Sequence, residues 1–397
     1  MTRAVTSVGP QVRTGGRVDA IDLARGVALL AMMLVHVGPH WLDGGPPVGS
    51  IVASGRAAPL FALVAGVALA LIHDREPGGA GSTRATAIRA VLLVALGLSL
   101  GSLHDMPILV ILPSYGVMIV AALPFRRLST RAVLILAGAW AVVVPVLLLA
   151  AQRQHSPVFA EQAELSDLEH PGGLVMELLV WGPYPAAVWF AYVLAGLGLG
   201  RLDLRSAVVA RRMVLVGAAL VTVTLATGWA AISLGTFGDD GRDGWHLLFR
   251  VDGYPYELPM WNDLLIVGEH TSRPLNVLGA MGSSVLIVGA CALVSTARIP
   301  GAWFVLAPVR AAGAMTLSLY TIHVLWSWRL RVTSDELAAG LPPVGGYDDW
   351  LLQVVVLCAA AVLWRRFLGR GPLESAVRRL SVWGSGRSSR TASRGLV

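Results

Sequence analysis

The sequence predicts an all-α, polytopic transmembrane helix bundle, and three observations predict it. Of its 397 residues, 55% are hydrophobic and only 14% charged, with a mean hydropathy of +0.67. A water-soluble chain of this length does not carry that balance. Apolar runs of about 20 residues, the length a helix needs to cross a hydrocarbon core, recur along nearly the whole chain. The arginines between them fall in alternate connections.

Taken in order, the runs lie near 20–40, 51–72, 87–104, 106–124, 131–151, 174–200, 208–234, 275–297, 307–328 and 349–368, which predicts about ten spans. The first is not a cleavable signal peptide, because Asp22 and Arg25 sit at its entry and His36 near its exit. The sixth contains Pro183-Tyr184-Pro185, which must interrupt the helix and free backbone groups. Pro308 suits the first turn of the ninth, and one helical face then carries Thr316, Tyr320 and His323 further along. Small-residue spacings, Gly97 to Gly101 and Gly196 to Gly200, let helices approach closely.

The positive-inside rule orients the bundle. Arg3, Arg13 and Arg17 precede the first span, and alternate connections carry Arg75 and Arg84, then Arg126, Arg127 and Arg131, then Arg201, Arg205, Arg211 and Arg212, then Arg298. Arg365, Arg366, Arg370, Arg378 and Arg379 follow the last span, whereas the intervening connections are poorer in arginine and richer in acid, as at Glu161, Glu164, Asp167 and Glu169. Both termini are therefore expected in the cytoplasm of a bacterial plasma membrane, with a single domain over 17–383 between disordered arms at 1–16 and 384–397.

All 31 basic residues are arginine and the net charge is +7. In a soluble protein that excess would suggest nucleic acid, but here the arginines orient the chain, and nucleic-acid binding is excluded. Cys291 and Cys358 each lie inside an apolar run, so neither a disulfide framework nor a Cys-based metal site is expected. Two long outer connections, about 152–173 and 235–273, hold Trp245, Tyr254, Tyr256 and Trp261 and read as solvated loops with interfacial aromatics, or as an acceptor site.

Ionisable residues at bilayer depth cost about 2.5–3.5 kcal/mol on insertion scales, so they are where function is sought first. In the first span Asp22, Arg25, His36 and His40 fall within about 60° on a helical wheel, forming one polar stripe. Arg25 and His36 are about 16 Å apart along the axis, so one helix serves both halves of the membrane. Asp22 with Arg25 reads either as an anchoring ion pair or as a binding element. The His36 and His40 pair at i and i+4 reads as catalytic; without an acidic or Cys ligand beside it, no metal is expected. Arg56 in the second span lies close in depth to these histidines, and Arg310 and His323 repeat the arrangement in the ninth.

With these residues in hand, the chain resembles the membrane family of heparan-alpha-glucosaminide N-acetyltransferase and its bacterial relatives. The resemblance rests on Arg17-Val-Asp-Ala-Ile-Asp22-Leu-Ala-Arg25-Gly26, on Gly55-Arg56-Ala-Ala-Pro59-Leu-Phe61 with Gly66, and on Gly182-Pro-Tyr184-Pro185 leading to Gly196 and Gly200-Arg201. Gly268-Glu-His270, Arg310-Ala-Ala-Gly313-Ala-Met-Thr316-Leu-Ser-Leu-Tyr320 and Gly369-Arg-Gly371-Pro372-Leu-Glu374 complete it. His36 stands where that family's pattern has asparagine, and Arg56 lies near the place of an acidic residue that is missing here.

The resemblance implies transfer of an acetyl or other acyl group from cytoplasmic acyl-CoA to a sugar or glycan-type acceptor outside, with acyl-CoA, acceptor and membrane lipid as partners. A homodimer is compatible with it. The residues then divide into His36, His40 and His323 as catalytic groups and Asp22, Arg25, Arg56, Tyr184, His270, Arg310 and Tyr320 as substrate-binding groups. His36 or His40 would serve as general base, Arg56, His323 or Tyr184 would steady the oxyanion, and Arg25 and Arg310 would meet CoA phosphates. A transporter using the same polar stripe as a permeation path, and a non-catalytic scaffold, are the rival readings.

Overall fold

A computed structural model describes residues 15–39, 48–75, 80–106, 108–154, 162–237, 248–249, 260–297, 301–333 and 346–385. His40, the two expected disordered arms except residues 15, 16, 384 and 385, and the aromatics Trp245, Tyr254 and Tyr256 lie outside them.

The regular structure of the described residues is all helix: α1 (Gly15–Val37), the short α2 (Val48–Ala53), α3 (Ala57–Arg75), α4 (Ala80–Gly101), α5 (Leu112–Ala121), α6 (Thr130–Gln154), α7 (Pro171–Met176), α8 (Ala186–Leu199) and α9 (Ala207–Ser233). The remainder are α10 (Pro274–Ala297), α11 (Ala302–Gly313), α12 (Thr316–Thr333), α13 (Tyr347–Phe367) and α14 (Pro372–Gly384). In lipid a segment must satisfy its own backbone hydrogen bonds, which is why apolar composition becomes helix here. Among the described residues seven helices are long and apolar enough to cross a membrane, and up to nine if each of two bent pairs counts as one span. The chain is thus a multi-pass membrane protein.

The fourth expected crossing, over 106–124, contains only the ten-residue α5. Such a helix is about 15 Å long, half the hydrocarbon thickness. In the non-helical segment before it Ile108, Val110 and Ile111 are buried. Non-helical backbone at depth needs partners, and side chains provide them. Val110 N–H donates to Gln162 Oε1 at 2.7 Å, and Tyr184 Oη donates to the Leu109 carbonyl at 3.3 Å.

Helix α8 is apolar on every side and buried almost throughout, the pattern of a helix at the centre of a bundle. It packs on α3, α6 and α5, while α10 packs on α9, α1 and α3. Glycines permit the closest approach: a Cβ on Gly196 would lie 1.8 Å from the Leu63 carbonyl, and one on Gly66 would lie 2.1 Å from that of Val193. By contrast α9 turns Leu215, Val216, Val223 and Trp229 outward, a face suited to acyl tails. Arg201 ends the α8 motif structurally, donating to the Leu128 carbonyl and, at 2.9 Å, to that of Arg126.

Pro183-Tyr184-Pro185 does break the sixth span. A π-turn over Glu177–Trp181 precedes it, and the segments either side meet at 60°. The ninth span departs from the expected continuous helix: α11 and α12 meet at 82°. Gly313 lets α11 touch α1 so closely that a Cβ there would lie 1.7 Å from the Asp22 carbonyl, and Thr316 Oγ1 donates to the Gly313 carbonyl at 2.5 Å as the chain turns. Pro308 accordingly lies inside α11, which starts at Ala302 after Gly301 at φ +79°, and not in a first turn.

Candidate active site

α1 and α12 bring His36 and His323 together. His36 Nδ1 lies 2.9 Å from His323 Nε2, and His323 Nδ1 lies 2.7 Å from Gln353 Oε1 on α13. The imidazole centroids are 5.2 Å apart with planes 6° from parallel. Two five-membered rings joined end to end by such a bond show that spacing, whereas a face-to-face stack would close to about 3.5–4 Å. The rings therefore lie nearly in one plane, with lone pair and N–H in line. His323 is fully buried and Gln353 is 1% exposed, but His36 is only partly buried.

Below this pair runs a cavity of about 740 Å³. Its deep end is lined by Met32, Phe61, Ile111, Tyr115 and Tyr320. Met32 and Tyr320 precede His36 and His323 by one helical turn on their respective helices. The Tyr115 hydroxyl donates to the Ala58 carbonyl at 2.6 Å. That of Tyr320 is buried beside the backbone of Ile111 and makes no hydrogen bond of ordinary geometry. At the other end the cavity meets Arg25, Arg89, Arg365, Arg370 and Arg378, with Asp22 and Glu374. Arg89 is close enough to Arg25 and Arg378 to feel both charges.

α14 forms part of that rim because Glu374 ties it to α12: the carboxylate accepts from the Ser318 backbone at 3.1 Å and from Ser318 Oγ at 2.5 Å. The Asp22 and Arg25 pair is present but long, at 3.4 Å. Arg310, expected beside it, points elsewhere: it bridges to Asp19 at 2.9 Å and lies over the Trp303 ring at 5.3 Å, outside the residues that line the cavity.

Above the pair lies a second polar group. Arg56 Nη1 donates to the carbonyls of Ile51, at 2.5 Å, and Ser54, at 3.1 Å, closing the end of α2. It also lies in electrostatic range of Glu269. His270 is exposed, within electrostatic range of His36, and its ring packs on Tyr184 and Trp189 with centroids 5.6 and 6.2 Å away. His270 and Ser272 have left-handed φ of +57° and +54°, a conformation side chains adopt only when their surroundings hold them there. Among the described residues no cluster of three or more His, Cys, Asp or Glu could hold a metal ion.

Sequence reasoning overlooked Gln353, Arg89, Arg365 and Glu374 as members of this site. For Gln353 the signal was available: one amide inside an apolar run, four residues before Leu357 and eight before Ala361, all three buried on a helix whose other faces are exposed.

Residues 17–228, more than half of the chain, match the family model for heparan-alpha-glucosaminide N-acetyltransferase, catalytic. A search of curated proteins returns no match to this sequence. The matched segment runs from α1 through most of α9, so it includes His36 and much of the cavity wall, while His323 and Gln353 lie beyond it. The chain belongs to the heparan-alpha-glucosaminide N-acetyltransferase catalytic family and is a membrane protein of acyltransferase type.

Proposed function

We propose that the protein transfers an acyl group from acyl-CoA to a hydroxyl or amine of a sugar-type acceptor across a bacterial plasma membrane, with both termini cytoplasmic. The observation that carries this reading is the cavity that rises from the arginine-ringed opening to within one helical turn of the His36 and His323 pair. Phosphates of the donor would meet Arg25, Arg89 and Arg365, since guanidinium groups bind phosphate by charge-assisted hydrogen bonds. The positive-inside rule puts that opening on the cytoplasmic side. The pantetheine arm would then follow the apolar wall to the thioester's place beside Tyr320.

His36 takes the proton of the acceptor group as its oxygen or nitrogen bonds to the thioester carbonyl carbon. The tetrahedral intermediate then collapses, the carbon–sulfur bond breaks, and the imidazolium returns the proton to the departing thiolate. For the oxyanion, Tyr320 is the donor whose hydroxyl is uncommitted. Arg56 Nη1 is engaged by Ile51 and Ser54, both His323 nitrogens have partners, and Tyr184 has the Leu109 carbonyl. His270, Tyr184 and Trp189 stand on the acceptor side.

The test is purified protein in proteoliposomes with radiolabelled acetyl-CoA and candidate glycans. Label appearing on a glycan supports the reading. Flux of a solute into vesicles without CoA, and no acylated product, would overturn it in favour of transport.

A further inference from the structure

Helix α13 turns Leu351, Leu352, Val355, Val356, Val362 and Leu363 outward and buries an amide among its inward residues. That placement is enforced. Trp350, one turn before, donates its indole N–H to the Leu30 carbonyl of α1 at 3.0 Å, fixing the register of α13 against the helix that carries His36. We infer that Gln353 is a positioning residue that sets the tautomers of both histidines and so leaves His36 Nε2 as the proton-accepting atom of the site. This rests on the acyl-transfer reading above.

The inference follows from what each atom can do. An amide oxygen only accepts hydrogen bonds, so His323 Nδ1, 2.7 Å from Gln353 Oε1, carries the proton. A neutral imidazole has one N–H, so His323 Nε2 presents a lone pair. His36 Nδ1, 2.9 Å away, must then donate to it, and the one remaining nitrogen, His36 Nε2, is bare. A buried amide that orients an imidazole without touching substrate has the role the carboxylate has in a hydrolytic triad. Unlike a carboxylate, it adds no charge to favour imidazolium, so the base stays neutral and ready. Among the described residues, the titratable groups whose charge reaches His36 are His323 and His270. Among the described residues Gln353 Nε2 is buried without a partner, so the amide is held on the histidine side by its oxygen alone.

The test uses the full-length protein in nanodiscs with ¹⁵N-labelled histidine, the His36 and His323 resonances being assigned through His36→Asn and His323→Asn. The expected spectrum shows His36 protonated at Nδ1 and bare at Nε2, with His323 protonated at Nδ1. A proton on His36 Nε2 would overturn the inference, because the amide would then be turned the other way. In turnover, Gln353→Leu is expected to lower kcat about 10²-fold, the order lost with a general base, and to change the KM for acyl-CoA less than twofold. Gln353→Glu keeps an acceptor oxygen and should recover most of that loss, with the acidic limb of the pH profile moved upward because a carboxylate favours imidazolium. Unchanged kcat in the leucine variant would also overturn it. If the wild-type protein transfers no acyl group at all, the function reading fails, and the spectrum still decides the tautomers.

Discussion

His36 and Tyr320 show how much a single side chain's partners decide. His36→Ala should lower acyl transfer by about 10²- to 10⁴-fold, the contribution of a general base, while acyl-CoA still protects the protein against heating. Equal loss of transfer and of thermal protection would assign His36 to binding or folding. Tyr320→Phe offers a cleaner separation. Its hydroxyl makes no ordinary hydrogen bond in the resting protein, so its removal should leave Tm unchanged or slightly raised, yet cost about 10²- to 10³-fold in kcat if it meets the oxyanion. An unchanged kcat would place the oxyanion elsewhere. His36 and His323 stood out in the sequence because a polar group in an apolar run is costly, and the cost marks it. Gln353 carried the same mark in weaker form, being neutral. Arg310 carried it strongly and was misread, since nothing in its spacing distinguishes an arginine that meets Asp19 and Trp303 from one that lines a cavity.

At the scale of elements, close helix contact and helix breaks have separate causes. The contact of α3 with α8 depends on Gly66 and Gly196, whose added Cβ atoms would meet backbone oxygens at 2.1 and 1.8 Å. Backbone does not yield as a side chain does, so Gly196→Ala should cost about 3 kcal/mol, the upper end for overpacking, read as a lower Tm in detergent. Gly138→Ala in α6 is the control, because nothing lies within 4 Å of its would-be Cβ. Equal Tm values for the two variants would show that the helices can separate without penalty. The hydropathy runs predicted nearly all the helices, and prolines predicted the break before α8. The 82° turn between α11 and α12 escaped notice because its cause is tertiary: Gly313 is needed to reach α1, and no local residue type forces the bend. Likewise 106–124 has a span's composition, and only the partners of Val110 and Leu109 reveal that part of it is not helix.

For the whole molecule, the decisive arrangement is a cavity with an arginine rim at one end and, at the other, residues one helical turn from the His36 and His323 pair. Arg89→Gln and Arg365→Gln should each raise the KM for acyl-CoA about tenfold or more, taking about 1.5–3 kcal/mol for a hydrogen bond to a charged group, and leave kcat within twofold. The effect should shrink as salt rises, since exposed charges are screened beyond about 8 Å at physiological ionic strength. Sidedness then separates a transmembrane transferase from an enzyme that takes both substrates from one face. In sealed vesicles of a single orientation, impermeant acyl-CoA supplied at the cytoplasmic face and glycan supplied at the other should give product only on the glycan's side. Supplying both reagents at the cytoplasmic face should give none, because the acceptor would have to pass the arginine rim and the apolar wall already filled by the donor. Product from that arrangement would mean that the cavity admits both substrates, and the path between the two faces would then have no role in transfer.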